Sequence, residues 1–163
     1  MTKEIRFEQH ECYDWSKEDF AEYKRLVTEL CEEIKPYQTE HSFRDLANNV
    51  VTEENKFDKS NSHTITFVCD GNKKVGYFAW KEIGARPSVW ISHAFLEKEY
   101  RKQGIYKRFL DEELPKAYET ENSEPLTRIY CGVFPQHRSS HEIHKKCGFE
   151  VDHICFVKLR AAS

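Results

Sequence analysis

With 163 residues, the chain has room for one α/β domain around one hydrophobic core, which we expect to span 1–163. It is 39% hydrophobic and 33% charged, and no run of 18 apolar residues exists, so no membrane-spanning helix is expected. A net charge of -3 gives no support to general nucleic-acid binding.

The charged start, Met1-Thr2-Lys3-Glu4-Ile5-Arg6, lacks the apolar stretch of a secretion signal and points to the cytoplasm. Cys12, Cys31, Cys69, Cys131, Cys147 and Cys155 form no C-x-x-C pair. Several lie in apolar runs such as Thr66-Phe67-Val68-Cys69, as small hydrophobes of a reduced chain do. Residues 1–60 carry 15 acidic against 9 basic side chains. That excess reads as a solvated helical surface, or as an acidic rim that draws in a cationic substrate.

Ile5-Arg6-Phe7-Glu8 alternates apolar and polar residues and predicts a first strand. Ser16-Lys17-Glu18-Asp19 resembles a capping box with Asp at its fourth position. Phe20, Tyr23, Val27, Leu30, Cys31 and Ile34 then recur at helical spacing up to Pro36. A weaker helix is expected over roughly 42–55. His63 to Cys69 and Lys74 to Glu82 flank Asp70-Gly71-Asn72, a hairpin signal, and Ser88 to Leu96 forms a third run. Gly104 opens an amphipathic helix carrying Ile105, Phe109, Leu110 and Leu114, which Pro115 should kink or end. Leu126 to Phe134 predicts a strand, Arg138 to Cys147 a helix closed by Gly148, and Phe149 to Leu159 a last strand. The order β-α-α-β-β-β-α-β-α-β implies a mixed sheet with helices on both sides and a parallel β-α-β unit over 88–134.

The chemistry concentrates where the third run ends. Phe95 to Leu110 takes a strand through a basic, glycine-containing turn into a helix. Bare amides at a helix N-terminus attract anions, Gly104 permits close backbone approach, and Arg101, Lys102, Lys107 and Arg108 add positive charge. Phosphate binding and a solvated basic surface both fit that turn.

Three segments carry a family resemblance. Tyr100-Arg101-Lys102-Gln103-Gly104-Ile105-Tyr106 resembles the acetyl-CoA motif of GNAT acetyltransferases, R/Q-x-x-G-x-G/A, with Arg101 and Gly104 matching and Tyr106 replacing the last Gly/Ala. His137-Arg138-Ser139-Ser140-His141-Glu142-Ile143-His144-Lys145-Lys146-Cys147-Gly148-Phe149 is similar to the later N-x-x-(A/S)…Y-x-K-x-G-F motif. Ser140, Lys146, Gly148 and Phe149 match there, while His137 stands for Asn and His144 for Tyr. Lys74-Val75-Gly76-Tyr77-Phe78 echoes a K-x-V-G strand.

The resemblance implies a GNAT-like mixed α/β fold and an N-acetyltransferase that passes acetyl from acetyl-CoA, with no metal, to a small-molecule or protein amine. It places the pyrophosphate on the amides of Arg101, Lys102, Gln103, Gly104, Ile105 and Tyr106. The pantetheine arm would lie between strands splayed at 88–96 and 126–134, against Ala94, Leu96, His137 and Ser140. It suggests His144 as general acid or as a partly buried spacer, and His93 or Glu97 as the base, with Glu99 left as surface charge. The bulk of Tyr106 should alter the phosphate contacts or weaken CoA binding. Homodimers are common in that family.

Other readings are weighed beside it. His137, His141 and His144 share a helix face, yet His141-Glu142-Ile143-His144 is not the H-E-x-x-H zinc pattern. A domain of this fold that binds CoA or a protein without catalysis, and an enzyme using a longer acyl donor, are the alternatives.

Overall fold

The computed structural model describes residues 4–11, 16–37, 64–84 and 87–151. The expected helix over 42–55 lies outside them, as does most of the expected last strand, of which 149–151 are not extended in a sheet. A five-stranded sheet runs in the order β1 (Ile5–Glu11), β2 (Thr64–Asp70), β3 (Lys73–Glu82), β4 (Ser88–Leu96), β5 (Arg128–Cys131). The first three pairings are antiparallel and β4–β5 is parallel, so the sheet is mixed as the element order predicts. Gly71, at φ 59°, makes the tight β2–β3 turn possible, because only a residue without Cβ adopts that angle at little cost.

Strand alternation divides the apolar side chains between two layers. On one face α1 (Lys17–Ile34) packs Tyr23, Leu26, Val27, Leu30 and Ile34 against Ile65, Phe67, Cys69, Tyr77, Ala79 and Phe95. Each fully buried aliphatic side chain there contributes about 2 kcal/mol. Ser16 caps α1: the Asp19 amide donates to Ser16 Oγ at 3.0 Å. The capping box is only half made, since the Asp19 carboxylate accepts from the Ser16 hydroxyl and from Lys74 Nζ at 2.7 Å in each case.

The other face is covered by α2 (Ile105–Arg108), a π-helical segment Phe109–Glu113, and α3 (Leu114–Asn122). Phe109, Leu110, Leu114 and Tyr118 pack there on Val68, Val75, Phe78, Trp80, Val89 and Ile91. Pro115 does not end this run, which turns π-helical just before it. It sits in the first turn of α3, where its missing N–H leaves no bond unmade, and the wider π turn, with the Leu114 amide reaching back to Phe109 O, absorbs the offset.

Gly76 shows why β3 needs a glycine in mid-strand. A Cβ built there would meet the Phe95 carbonyl oxygen at 2.5 Å and Leu96 Cδ2 at 2.6 Å, so β3 and β4 approach closely at the end that leads to the basic turn. Among the described residues no helix is long and apolar enough to cross a membrane. Cys31, Cys69, Cys131 and Cys147 form no disulfide among them.

Candidate active site

The site starts from a fault in register. Ala79 pairs with His93 but Trp80 pairs with Ile91, so Ser92 is an extra residue in β4, a bulge that bends the strand. The β4–β5 ladder runs only from Ser88↔Arg128 to Ile91↔Cys131 and stops at the bulge. The strand expected over 126–134 is therefore four residues long, because its second half has no ladder to join. Beyond it, Ser92, His93 and Ala94 face Gly132, Val133 and Phe134 across a cleft. Leu30 and Ile34 of α1 line it from one side, and Tyr106, His137, Ser140 and His144 from the other. The last three lie at or in α4 (Arg138–Lys146), which follows β5 and ends at Gly148 with φ 87°.

At the far end of β4, Glu97 N donates to Val75 O at 2.9 Å and Lys98–Tyr100 make one 3-10 turn, tied down by Tyr100 Oη donating to Asp70 Oδ2 at 2.8 Å. The chain then reverses through two residues of positive φ, Lys102 at 60° and Gly104 at 74°. Among the described residues, none of the amides from Lys102 to Lys107 has a protein acceptor. They form the positive pole of the helical run, whose Tyr106 lines the cleft. Lys102 has no ion pair among the described residues, and Gln103 Nε2 donates to Glu99 O at 2.6 Å.

The other cations of the turn are committed elsewhere. Arg101 donates through Nη1 and Nη2 to the Glu33 carboxylate, at 2.8 and 2.6 Å, and through Nε to Leu96 O at 2.7 Å. Its guanidinium lies 5.4 Å from the centre of the Phe95 ring. Lys107 is paired with Asp111. Arg108 donates to Ile5 O at 2.7 Å and covers the Phe7 ring. Arg101 and Arg108 thus tie the turn and the helix to strands, and the Leu96 carbonyl, at a residue expected against the pantetheine arm, already has a protein partner. The positive potential comes from backbone amides and Lys102.

Tyr106 departs most from expectation. Its ring does not crowd the turn: it lies under the cleft with its centre 5.3 Å from that of Phe78, in the layer that α2 covers. Its hydroxyl meets His144 Nε2 at 3.2 Å. His144 Nδ1 donates to Ser140 O at 2.7 Å, and burial pushes the imidazole below the ordinary histidine value, against the Ser140 carbonyl, which favours the charged form. Burial also drives the Tyr106 phenol far upward.

On the opposite wall, His93 Nδ1 and the hydroxyl of fully buried Tyr77 are 2.9 Å apart. Burial keeps the Tyr77 phenol protonated by raising it well above 10.0. His137, in the cleft lining, stacks on Tyr37 with ring centres 4.3 Å apart. Burial lowers His137 as well, opposed by Glu33. His141 donates through Nε2 to Phe134 O at 3.1 Å, which draws it away from a shared metal position with its two neighbours.

Glu97 does not join this group. It accepts from Arg25 at 3.0 Å and Lys73 at 2.6 Å. Burial would raise its carboxyl, but those two cations outweigh it and hold the group below the ordinary carboxylate range. A carboxylate so paired is a weak base.

Sequence reasoning thus finds His93, Ala94, Tyr106, His137, Ser140 and His144 along one cleft. It misses Tyr77, Leu30, Ile34 and Phe134, whose only signal is apolar periodicity. Bare amides in the turn that sends Tyr106 into a cleft with an apolar side and three imidazoles fit a ligand that joins a diphosphate to a thioester arm.

The sequence profile of the acetyltransferase (GNAT) family matches residues 10–149. The chain belongs to the GNAT acetyltransferase family. As a member it is an acetyl-CoA-dependent N-acetyltransferase that transfers acetyl to an amine. A comparison with curated proteins gives no sequence match.

Solved structures share its fold at low identity. A ribosomal-protein-alanine N-acetyltransferase from Brucella melitensis biovar Abortus 2308 is 12% identical with a TM-score of 0.60, covering 96% of this chain and 99% of its own. An aminoglycoside acetyltransferase from an uncultured soil metagenomic sample, in complex with sisomicin, is 11% identical with a TM-score of 0.61 and covers 96% of both chains. Aminoglycoside N-acetyltransferase AAC(6')-Iy in complex with CoA is 13% identical with a TM-score of 0.57, covering 97% of this chain and all of its own, 100%.

Proposed function

We propose that the chain is a cytoplasmic N-acetyltransferase, one domain over 1–163, whose acceptor is a cationic primary amine on a small molecule or a protein. The observations that carry this reading are the cleft that opens at the Ser92 bulge with Tyr106 in its lining, and the amides of Lys102 to Lys107, which have no protein acceptor among the described residues. In this reading those amides hold the pyrophosphate of acetyl-CoA. The wall from Ser92 to Ala94, with His137 and Ser140 opposite, holds the pantetheine arm. Backbone donors of β4 beside the thioester oxygen would stabilise the charge that develops there.

Two reactants held in one cleft supply much of the acceleration, since positioning alone is worth several kcal/mol. The neutral amine attacks the thioester directly, with His93 and His144 on the two sides of the reacting centre. Glu97 has no part in this scheme, being bound to Arg25 and Lys73. The acidic excess of residues 1–60 supports a cationic acceptor, and cysteines set in apolar runs as small hydrophobes support a reducing compartment.

Calorimetry with acetyl-CoA, followed by an amine panel that reads released thiol, tests the proposal. Binding with turnover of polyamines, aminoglycosides or peptide amines is expected. Tight binding without turnover on any amine would favour a CoA-binding or protein-interaction domain. Preference for longer acyl-CoAs would change the donor.

A further inference from the structure

The two side chains that depart from the family motifs touch each other. Tyr106 and His144 both line the cleft, with Tyr106 Oη 3.2 Å from His144 Nε2. The hydrogen positions follow from their partners. Ser140 O lies 2.7 Å from His144 Nδ1, and a carbonyl can only accept, so Nδ1 carries a hydrogen. In the neutral ring Nε2 then holds a lone pair and accepts from the Tyr106 hydroxyl. Burial favours the uncharged form of both groups. The titratable groups around the pair are Cys131 of β5, Cys147 at the end of α4, and His137 and His141 on α4 itself; Lys107, beyond Cys147, is paired with Asp111.

This arrangement denies His144 the part of a lone acid, because the nitrogen toward the cleft has no hydrogen to give. It suits a different task. Acetyl transfer leaves the protein's proton count unchanged: one proton leaves the amine nitrogen and one arrives on sulfur, and both atoms are bonded to the same carbon midway. A single relay beside that carbon can serve both steps.

We propose, building on the reading above, that Tyr106 and His144 form a two-member proton shuttle between the acceptor nitrogen and the CoA sulfur. As the C–N bond forms, the carbonyl π pair moves onto oxygen. A proton passes from nitrogen to Tyr106 Oη while the hydrogen of Tyr106 passes to His144 Nε2. The imidazolium keeps its Nδ1–H on Ser140 O. The oxygen pair then restores the carbonyl, and the C–S bond breaks with its electrons on sulfur. The proton returns from Nε2 through Tyr106 Oη to that sulfur. Tyr106 never ionises, so its raised pKa is no obstacle, and no separate base is needed.

The test has two arms. Long-range proton–nitrogen NMR of the ligand-free protein should show His144 with hydrogen on Nδ1 and an accepting Nε2, and Tyr106→Phe should shift the Nε2 resonance. Hydrogen on Nε2 would overturn the shuttle, whatever the variants do. In steady-state assays Tyr106→Phe and His144→Phe should each lower kcat about 100-fold, with KM for acetyl-CoA within about twofold of wild type. The double variant should be no slower than the worse single one, because the pair acts as a unit.

The pH profile separates shuttle from acid. His144 must be neutral to take a proton, so kcat should fall as pH drops through its lowered pKa, and His144→Phe should lose that limb. A lone acid would lose rate as pH rises. Additive losses, or unchanged kcat in Tyr106→Phe, sink the shuttle alone. A wild type that neither binds acetyl-CoA nor releases thiol sinks the parent reading and the shuttle with it.

Discussion

The two halves of β4 have the same neighbours in sequence and opposite fates. From Ser88 to Ile91 the strand is laddered on both edges and mostly buried, with Val89 at 0% exposure. Past Ser92, from His93 to Leu96, it is paired with β3 and has no ladder to β5. One extra residue makes the difference: with twice as many partners the first half is structure, and with half as many the second half becomes a site. A parallel pair can open in this way because helices on both faces hold the strands in place after their hydrogen bonds end.

Variants on either side of Ser92 should therefore fail differently. The largest effect is expected from Gly104→Glu. A Cβ there meets no atom within 4 Å, so the side chain projects into open space before the amides, and charge rather than packing does the damage. Acetyl-CoA affinity should drop about 100-fold, near 3 kcal/mol by calorimetry. The thermal midpoint should record only the ~1 kcal/mol strain of a non-glycine residue at φ 74°. Unchanged affinity would remove the turn from the site.

Val89→Ala, in the laddered half, should reverse that pattern. Loss of two buried methyl groups and the cavity left behind should cost about 2 kcal/mol in chemical denaturation, with acetyl-CoA affinity retained in the folded protein. A smaller effect is expected for Glu97→Gln. The carboxylate lies beyond the cleft among partly exposed partners, so stability should fall by about 1 kcal/mol or less with kcat unchanged. A large fall in kcat would restore Glu97 as a base.

The smallest effect is a pH dependence of stability in two windows. Burial lowers His144 and His137, so below about pH 6.5 the unfolded chain takes up protons that the folded one refuses, and stability declines on acidification. Glu97 and Asp19 are held low by their cations despite burial. The stability they lend is present above their ordinary values and lost as pH falls through the lowered ones. Glu97→Gln should flatten only the second window. Urea midpoints at stepped pH read both.

What could be read in the sequence is what depends on neighbours in the chain. The Gly104 turn, the Asp70-Gly71 hairpin and the Ser16 cap are local, and the first of them carries the proposed anion site. His93 follows from its place on the predicted strand, and His144 from its place in the motif that the chain resembles. The Ser92 bulge has no local signature, since it records how β4 fits β3 against how it fits β5. The fate of the cations was equally hidden. Arg101 is drawn to Glu33, 68 residues earlier, and Arg108 to Ile5, 103 residues earlier, and neither partner is marked by type or spacing. Glu97 looks like a free carboxylate until Arg25, 72 residues back, is brought against it. Tyr106 reads as misplaced bulk because the motif gives its position without the direction of its side chain. The π turn that absorbs Pro115 follows from packing of the whole helical layer.

The clasp between Arg101 and Glu33 also bears on how this enzyme can evolve. Glu33 belongs to the helix that supplies Leu30 and Ile34 to the cleft, and Arg101 to the turn proposed to hold the donor's phosphates. In the proposed reading, mutations that reshape the helix for a new amine will tug on the loop that would hold the common donor. Divergence toward new acceptors is thereby steered to side chains that leave Glu33 in place, and drift at that residue should precede loss of the enzyme rather than a change in its specificity.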